Sequence, residues 1–227
     1  MDHPIDRRRL LGGLGLTAVA LGLPGCAGIG GPLSLEEAVR RLLMRSADSA
    51  FALLLQPGGY FDSEVARITL PDQLGGPGVG ALASAVLRSG PVRGELLRVA
   101  NDAAYEGAQR AAPIVTDTIR SLSVADASAV IRGGPTAATD LLQARLGTGL
   151  IEAMLPEIGG ALSVLNDGGV SSALRGLTGF DFAAFRNDIG RKAAAGIYAL
   201  MGQEEARIRR NPGSTRDPVL LGVFGLR

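Results

Sequence analysis

The chain has 227 residues, with 23 Lys and Arg against 22 Asp and Glu, one histidine, one cysteine and no tryptophan. Hydrophobic residues make up 46% of it, enough for one sizeable core, and aromatic ones only 4%, too few for platforms that stack on single strands. The formal net charge of +1 argues against nucleic acid as a partner, because affinity for a phosphate backbone rests on a basic face.

Residues 1–25 read as a signal peptide. Arg7, Arg8 and Arg9 form a positive start, followed by an apolar run over residues 10–23. That run is shorter than the roughly twenty residues that cross a bilayer as a helix, and it fits a secretory signal. It ends in Leu23-Pro24-Gly25-Cys26, which resembles the lipobox of bacterial lipoprotein signals. In those signals the cysteine becomes the first mature residue and carries the lipid, so Cys26 is the expected lipid attachment site and residues 26–33 a tether. Ala27 stands where inner-membrane retention signals carry Asp, which directs the expectation to the periplasmic side of the outer membrane. The run Asp6-Arg7-Arg8-Arg9-Leu10-Leu11 also resembles a twin-arginine export signal, with Arg7 and Arg8 as the pair. It lacks the usual hydroxyl residue before the arginines and the Phe after them, and Sec export stands beside it.

Removing residues 1–25 takes away three Arg, two Asp and the histidine, His3, and leaves 20 basic and 20 acidic residues. The remaining domain then has no imidazole for a nucleophile–base triad or as a ligand for zinc or haem. Its one thiol is expected to be acylated, which removes a cysteine nucleophile and any disulfide. No cofactor and no metal site are expected. Lys192, the sole lysine, reads as an exposed helical residue and not as a Schiff-base former.

Residues 34–227 read as one all-α domain, a multi-helix bundle with an irregular Gly/Pro-rich loop near its N-terminal side. Ala, Leu and Gly dominate, and no succession of period-two strands is present. Ser34-Leu35-Glu36-Glu37 is a capping box, and Val39, Leu42, Leu43, Ala47, Ala50 and Leu54 supply the buried stripe of the helix behind it. Residues 56–80 are the irregular loop, extended over 68–71 because Pro71 biases Leu70 away from the helical region. A short helix over 81–89 leads into a long helical stretch. There Arg98, Asp102, Glu106 and Arg110 recur at i, i+4 and form a wet, ion-paired face. Leu97, Ala100, Ala104, Gly107, Ala108 and Ala111 form the opposite face, small enough for another helix to approach closely.

Pro113 is expected to kink that helix or start a new one. Ser123 with Asp126 forms a variant capping box, Gly133-Gly134 a stop, and Pro135 the first residue of the next helix. In that helix Leu141, Leu142 and Leu146 are the buried positions and Arg145 a wet one. Residues 147–165 read as helix broken near Pro156, 166–169 as a turn, and 171–177 as a short helix at most. Asp181 caps the longest element, which runs towards Arg210 with Phe182, Phe185, Ile189, Ala193, Gly196, Ile197, Leu200 and Met201 facing inward. Asn211-Pro212-Gly213 ends it, and Asp217-Pro218 opens a last short helix closing near Phe224-Gly225.

Arg207, Arg209 and Arg210 complement the dipole at the C-terminus of that long helix, and together they are candidate contacts for an anion or a phospholipid headgroup. Glu205 and Arg209 are spaced as an i, i+4 pair. Asp102, Glu106, Asp140, Glu204 and Glu205 are the candidate carboxylates for an alternative, a hydrolase of an envelope polymer. For Asp102 and Glu106 a flanking Arg one turn further out favours a solvated face. Three motif fragments, Gly78-Val79-Gly80-Ala81-Leu82-Ala83, Gly169-Val170-Ser171-Ser172-Ala173 and Asp167-Gly168-Gly169, lack the strands or lengths their chemistry requires and read as loops.

Four segments carry a family resemblance: Val65-Ala66-Arg67-Ile68-Thr69-Leu70-Pro71; Ala111-Ala112-Pro113-Ile114; Gly133-Gly134-Pro135-Thr136-Ala137-Ala138-Thr139; and the run from Glu204 through Ile208-Arg209-Arg210-Asn211-Pro212 to Val223-Phe224-Gly225. In order and spacing the chain resembles the uncharacterised bacterial lipoprotein family called domain of unknown function 4197. The resemblance implies an envelope-located helical domain and brings no activity with it. The expectation is a lipid-anchored envelope protein, more a binding module using an interhelical groove than an enzyme. Its partners would be the membrane, through the N-terminal lipid, and a lipid, a peptide or an envelope protein.

Overall fold

The computed structural model describes residues 32–70, 85–166 apart from 87, 124 and 126, and 181–225. Several readings lie outside the described residues: the export signal with Arg7 and Arg8, the lipid site Cys26, the loop over 71–80, the helix start at 81–84, Asp126, and the turn and short helix within 167–180. The motif fragments at 78–83 and 167–173 lie outside them entirely.

Eight helices make up the described chain. They are α1 (Pro32–Leu54), α2 (Gly59–Asp62), α3 (Gly90–Ser121), α4 (Ala127–Arg132), α5 (Ala137–Leu146), α6 (Gly149–Leu162), α7 (Phe182–Arg210) and α8 (Pro218–Phe224), with 3-10 turns at Ser163–Asn166 and Pro212–Thr215. No strand occurs among the described residues, so the fold is the all-α bundle that composition and periodicity indicate. Helix α7 packs against α1, α3, α5 and α6; α3 packs most extensively on α6; α2 sits on α3, and α4 and α8 sit on α1.

In α1 every residue of the expected stripe, Val39, Leu42, Leu43, Ala47, Ala50 and Leu54, is buried. The helix opens at Pro32, two residues ahead of the expected capping box, which a proline permits because first-turn N–H groups have no intrahelical acceptor. Ser34 is therefore inside the helix and not its cap. Two larger corrections concern proline. Helix α3 runs unbroken through Pro113 and, at 32 residues, is longer than α7 at 29; α6 runs unbroken through Pro156. Each proline leaves a carbonyl four residues back without a donor, on Gln109 and Glu152. All four residues are exposed, so the lost bonds fall on the solvent side, where water can replace them. The break after α5 comes instead at Gly147, whose φ of +53° favours a residue without a side chain.

Small residues let these helices approach closely. Ala100, Ala104, Gly107, Ala108 and Ala111 of α3 are buried, and a Cβ on Gly107 would lie 2.9 Å from the Ile158 side chain of α6. On α7, a Cβ at Gly196 would lie 2.9 Å from Ala66 Cβ and 3.1 Å from Ala66 Cα. Alanine is favoured over glycine in a helix by up to ~1 kcal/mol, yet here the backbone of a neighbouring segment would have to shift. Gly196→Ala is therefore expected to lower stability by about 1–2 kcal/mol in urea melts, overpacking outweighing propensity.

The segment after α2 is the main surprise. Residues 56–80 read as an irregular loop, but Tyr60, Ala66, Ile68 and Leu70 are buried in the core. Asn101 of α3 clamps the peptide groups of Ile68: its Oδ1 accepts from Ile68 N at 2.8 Å, and its Nδ2 donates to Ile68 O at 3.1 Å and to Leu97 O at 2.7 Å. Lys192 Nζ of α7 donates to Thr69 O at 2.6 Å while pairing with Asp188 at 2.8 Å. Lys192 is thus a tether between α7 and this segment and more than a solvated charge.

The N-caps of α7 and α8 stand as expected. Asp181 Oδ1 accepts from Ala184 N at 2.8 Å, and Asp217 Oδ1 accepts from Val219 N at 2.9 Å and Leu220 N at 3.3 Å. Burial alone would raise the Asp217 carboxyl, but those N–H groups and the Arg41 guanidinium outweigh it and hold it below the ordinary carboxylate value. Phe182 does not join the inward face of α7; it is 39% exposed.

Candidate functional site

The three arginines near the end of α7 do not form one cluster. Arg207 and Arg210 are three residues apart and share a helix face, whereas Arg209 projects to the other side. Its guanidinium donates to Ile131 O at 2.8 Å and Val130 O at 3.0 Å, pairs with Glu205 at 2.8 Å, and lies 5.1 Å from the centre of the Phe224 ring. The Glu205 carboxylate is fully buried. Its Oε1 accepts from Ala138 N at 2.9 Å, and its Oε2 accepts from Thr139 N and Thr139 Oγ1, both at 2.7 Å.

Glu205 therefore caps the N-terminus of α5 from a distance, and Arg209 takes up the last carbonyls of α4. This explains why α5 begins at Ala137, after Thr136, and not at Pro135. Both residues are committed to joining helices. Arg209 is no headgroup contact, and Glu205 is no free catalytic carboxylate.

Arg207 and Arg210 line a groove of about 730 Å³ between the C-terminal halves of α1 and α7. Its walls also carry Leu53 and Leu200, with Gln56 and Glu204 as polar neighbours. Glu204 Oε2 accepts from Arg207 Nε at 2.6 Å, and Arg207 also donates to Ser214 Oγ at 2.8 Å. Glu204 is thus held by an arginine within the groove and is remote in role from the other candidate carboxylates.

Asp102 and Glu106 line a different cleft of about 450 Å³, between the α1–α2 turn and α3. They stand one turn apart on the same helix and form one wall of it. Asp102 pairs with Arg98 at 2.8 Å, as the spacing indicates, but Glu106 accepts from Gln109 Nε2 at 2.9 Å in place of the expected Arg110. Asp140 belongs to a third groove of about 460 Å³ between α5 and α7, where the Thr136 hydroxyl donates to it at 3.1 Å. Tyr198 lines that groove too; its hydroxyl is buried without a partner, and burial pushes it up to about 12. Sequence reasoning missed Asn101 and the capping role of Glu205, because each depends on a partner far along the chain, and Tyr198, whose place in the groove depends on α5 packing beside α7.

Among the described residues no group of three or more His, Cys, Asp and Glu side chains is placed to hold a metal ion, and no single helix is long and apolar enough to cross a membrane. No curated protein and no solved structure matches the chain. A family model does match, over residues 32–225, and that span takes in the Asn101 clamp, the Glu205–Arg209 pair and all three grooves. The chain belongs to the family described as protein of unknown function (DUF4197).

Proposed function

We propose that the protein is a lipid-anchored binding module of the bacterial envelope. Cys26 carries the lipid on the periplasmic side of the outer membrane, and a partner is held without catalysis in the groove between α1 and α7. The observation that carries the reading is the make-up of that groove: apolar Leu53 and Leu200 beside the exposed guanidinium of Arg210 and the Glu204-paired Arg207. An amphiphilic partner, with an apolar stretch and an anionic end, fits such walls. The family match and α1 both begin at residue 32, which leaves residues 1–25 for a removable leader and a tether that ends at 31, two residues short of the expected 33.

The hydrolase alternative has less support. Two carboxyl groups that cleave a glycosidic bond must flank it. Asp102 and Glu106 share one wall, and Glu204 lies in another groove bound to Arg207.

The test has two arms. Cys26→Ser should move the protein from the membrane to the soluble periplasmic fraction; unchanged membrane fractionation sinks the anchor. Mass spectrometry of the purified protein should find a copurifying anionic amphiphile that Arg210→Glu depletes several-fold. Equal recovery from that variant would remove the groove from the account.

A further inference from the structure

The cleft between the α1–α2 turn and α3 has a chemistry of its own, independent of the anchor and of the α1–α7 groove. The chain holds only six Phe and three Tyr and no Trp, yet Tyr60, Phe61 and Tyr105 all line this one cleft. Its acidic lining residues are Asp102 and Glu106, and none of the described lining residues is basic. Aromatic faces carry a partial negative charge, so rings and carboxylates together attract a cation and repel an anion.

Its frame is fixed before any ligand arrives. Gly58 turns the chain at φ +77°, and a side chain on Gly59 would meet the Leu53 carbonyl oxygen at 2.4 Å. Tyr60 is fully buried and its hydroxyl donates to Ala193 O at 3.2 Å, while the Asn101 amide is committed to Ile68 and Leu97. What remains towards the opening is the partly exposed Phe61 ring, the half-buried Tyr105 and the exposed Asp102 and Glu106. The Arg67 guanidinium lies 5.2 Å from the Phe61 centroid, so that ring already attracts a cation within the protein, and an incoming ammonium must share the ring or displace Arg67 from it. Asp102 is balanced by Arg98, whereas Glu106 is hydrogen-bonded to the neutral amide of Gln109.

We propose that this cleft binds an organic cation, a primary or quaternary ammonium group lodged against Phe61 and Tyr105 with Glu106 as its counter-charge. The ammonium could belong to a free amine or to a zwitterionic lipid headgroup, and the chemistry at the cleft is the same for both.

Isothermal titration of the full chain with putrescine, tetramethylammonium, glycerophosphoethanolamine and glucose tests this. Saturable binding of at least one ammonium compound, weakening as salt is raised, is the expected result. Putrescine or tetramethylammonium alone would assign a free amine, and glycerophosphoethanolamine binding as well would assign a headgroup. Glu106→Gln should weaken binding roughly tenfold or more with an unchanged melting curve, because its side chain is exposed, and Tyr105→Leu should weaken binding as much at a temperature well below its own melting midpoint, since Tyr105 also packs on the core. Asp117→Asn, an exposed acid on the same helix outside the cleft, should bind as the parent does. Absence of binding to every ammonium compound overturns the proposal. So does glucose binding equally well, Glu106→Gln binding undiminished, or Asp117→Asn losing as much as Glu106→Gln.

Discussion

Glu205→Ala is expected to destabilise the domain by about 3–5 kcal/mol in urea or thermal unfolding, the largest effect of any single substitution considered for it. The carboxylate is fully buried and accepts four hydrogen bonds: from Ala138 N, Thr139 N, the Thr139 hydroxyl and Arg209 Nε. Removing it strands the Arg209 charge, whose side chain is only 9% exposed, and leaves two N–H groups at the start of α5 without acceptors. The desolvation cost of both falls on the folded state alone.

Arg209→Met should cost nearly as much, about 2–4 kcal/mol, because it leaves the fully buried Glu205 carboxylate without its counter-charge and takes a donor from the Ile131 and Val130 carbonyls. The three remaining hydrogen bonds to Glu205 and the packing of a methionine on Phe224 offset part of the loss. The double variant should cost clearly less than the sum of the two single ones, because the pair shares one network. A Glu205→Ala variant less than about 1 kcal/mol below the parent would show that the carboxylate does not join these helices.

Asn101→Leu is expected to cost about 2–4 kcal/mol. Leucine matches the asparagine in size, but it leaves the N–H and C=O of Ile68 buried without partners, and Ile68 is 1% exposed. Because those groups belong to a segment outside any helix, no backbone neighbour replaces the lost bonds. Native-state hydrogen exchange reads the effect directly: the Ile68 amide should exchange faster in the variant by more than the global loss of stability explains. Unchanged Ile68 protection would mean that the segment is held by apolar packing alone.

These two residues also explain two of the segments that carry the family resemblance. The run containing Ile68 is fastened to α3 by Asn101, and the run Gly133 to Thr139 meets Glu205 of the last one through Ala138 and Thr139. In both runs, residues that carry the resemblance hold distant pieces of chain together.

The sites were only partly legible. The spacing of Arg207, Arg209 and Arg210 is open to view, but they read as one cluster until the helical rotation separates Arg209 from the other two. The Asp102 to Glu106 spacing was readable as well. That Tyr60 and Phe61 stand opposite it was not, because the turn bringing them there lies about forty residues earlier in the chain.

The sequence by itself determined whatever depends on neighbours within a turn or two. The α1 stripe, the small-residue face of α3, and the Asp181 and Asp217 caps need only residues up to four positions apart, and they are found where periodicity places them. Tertiary structure alone decided whether Pro113 and Pro156 break a helix, because that turns on which side faces water. It also decided where Lys192 and Glu205 spend their charges, on Thr69 and on Ala138 and Thr139. A hydrogen bond across 66 or 123 residues exists only once packing has brought both ends together, and no local pattern encodes that.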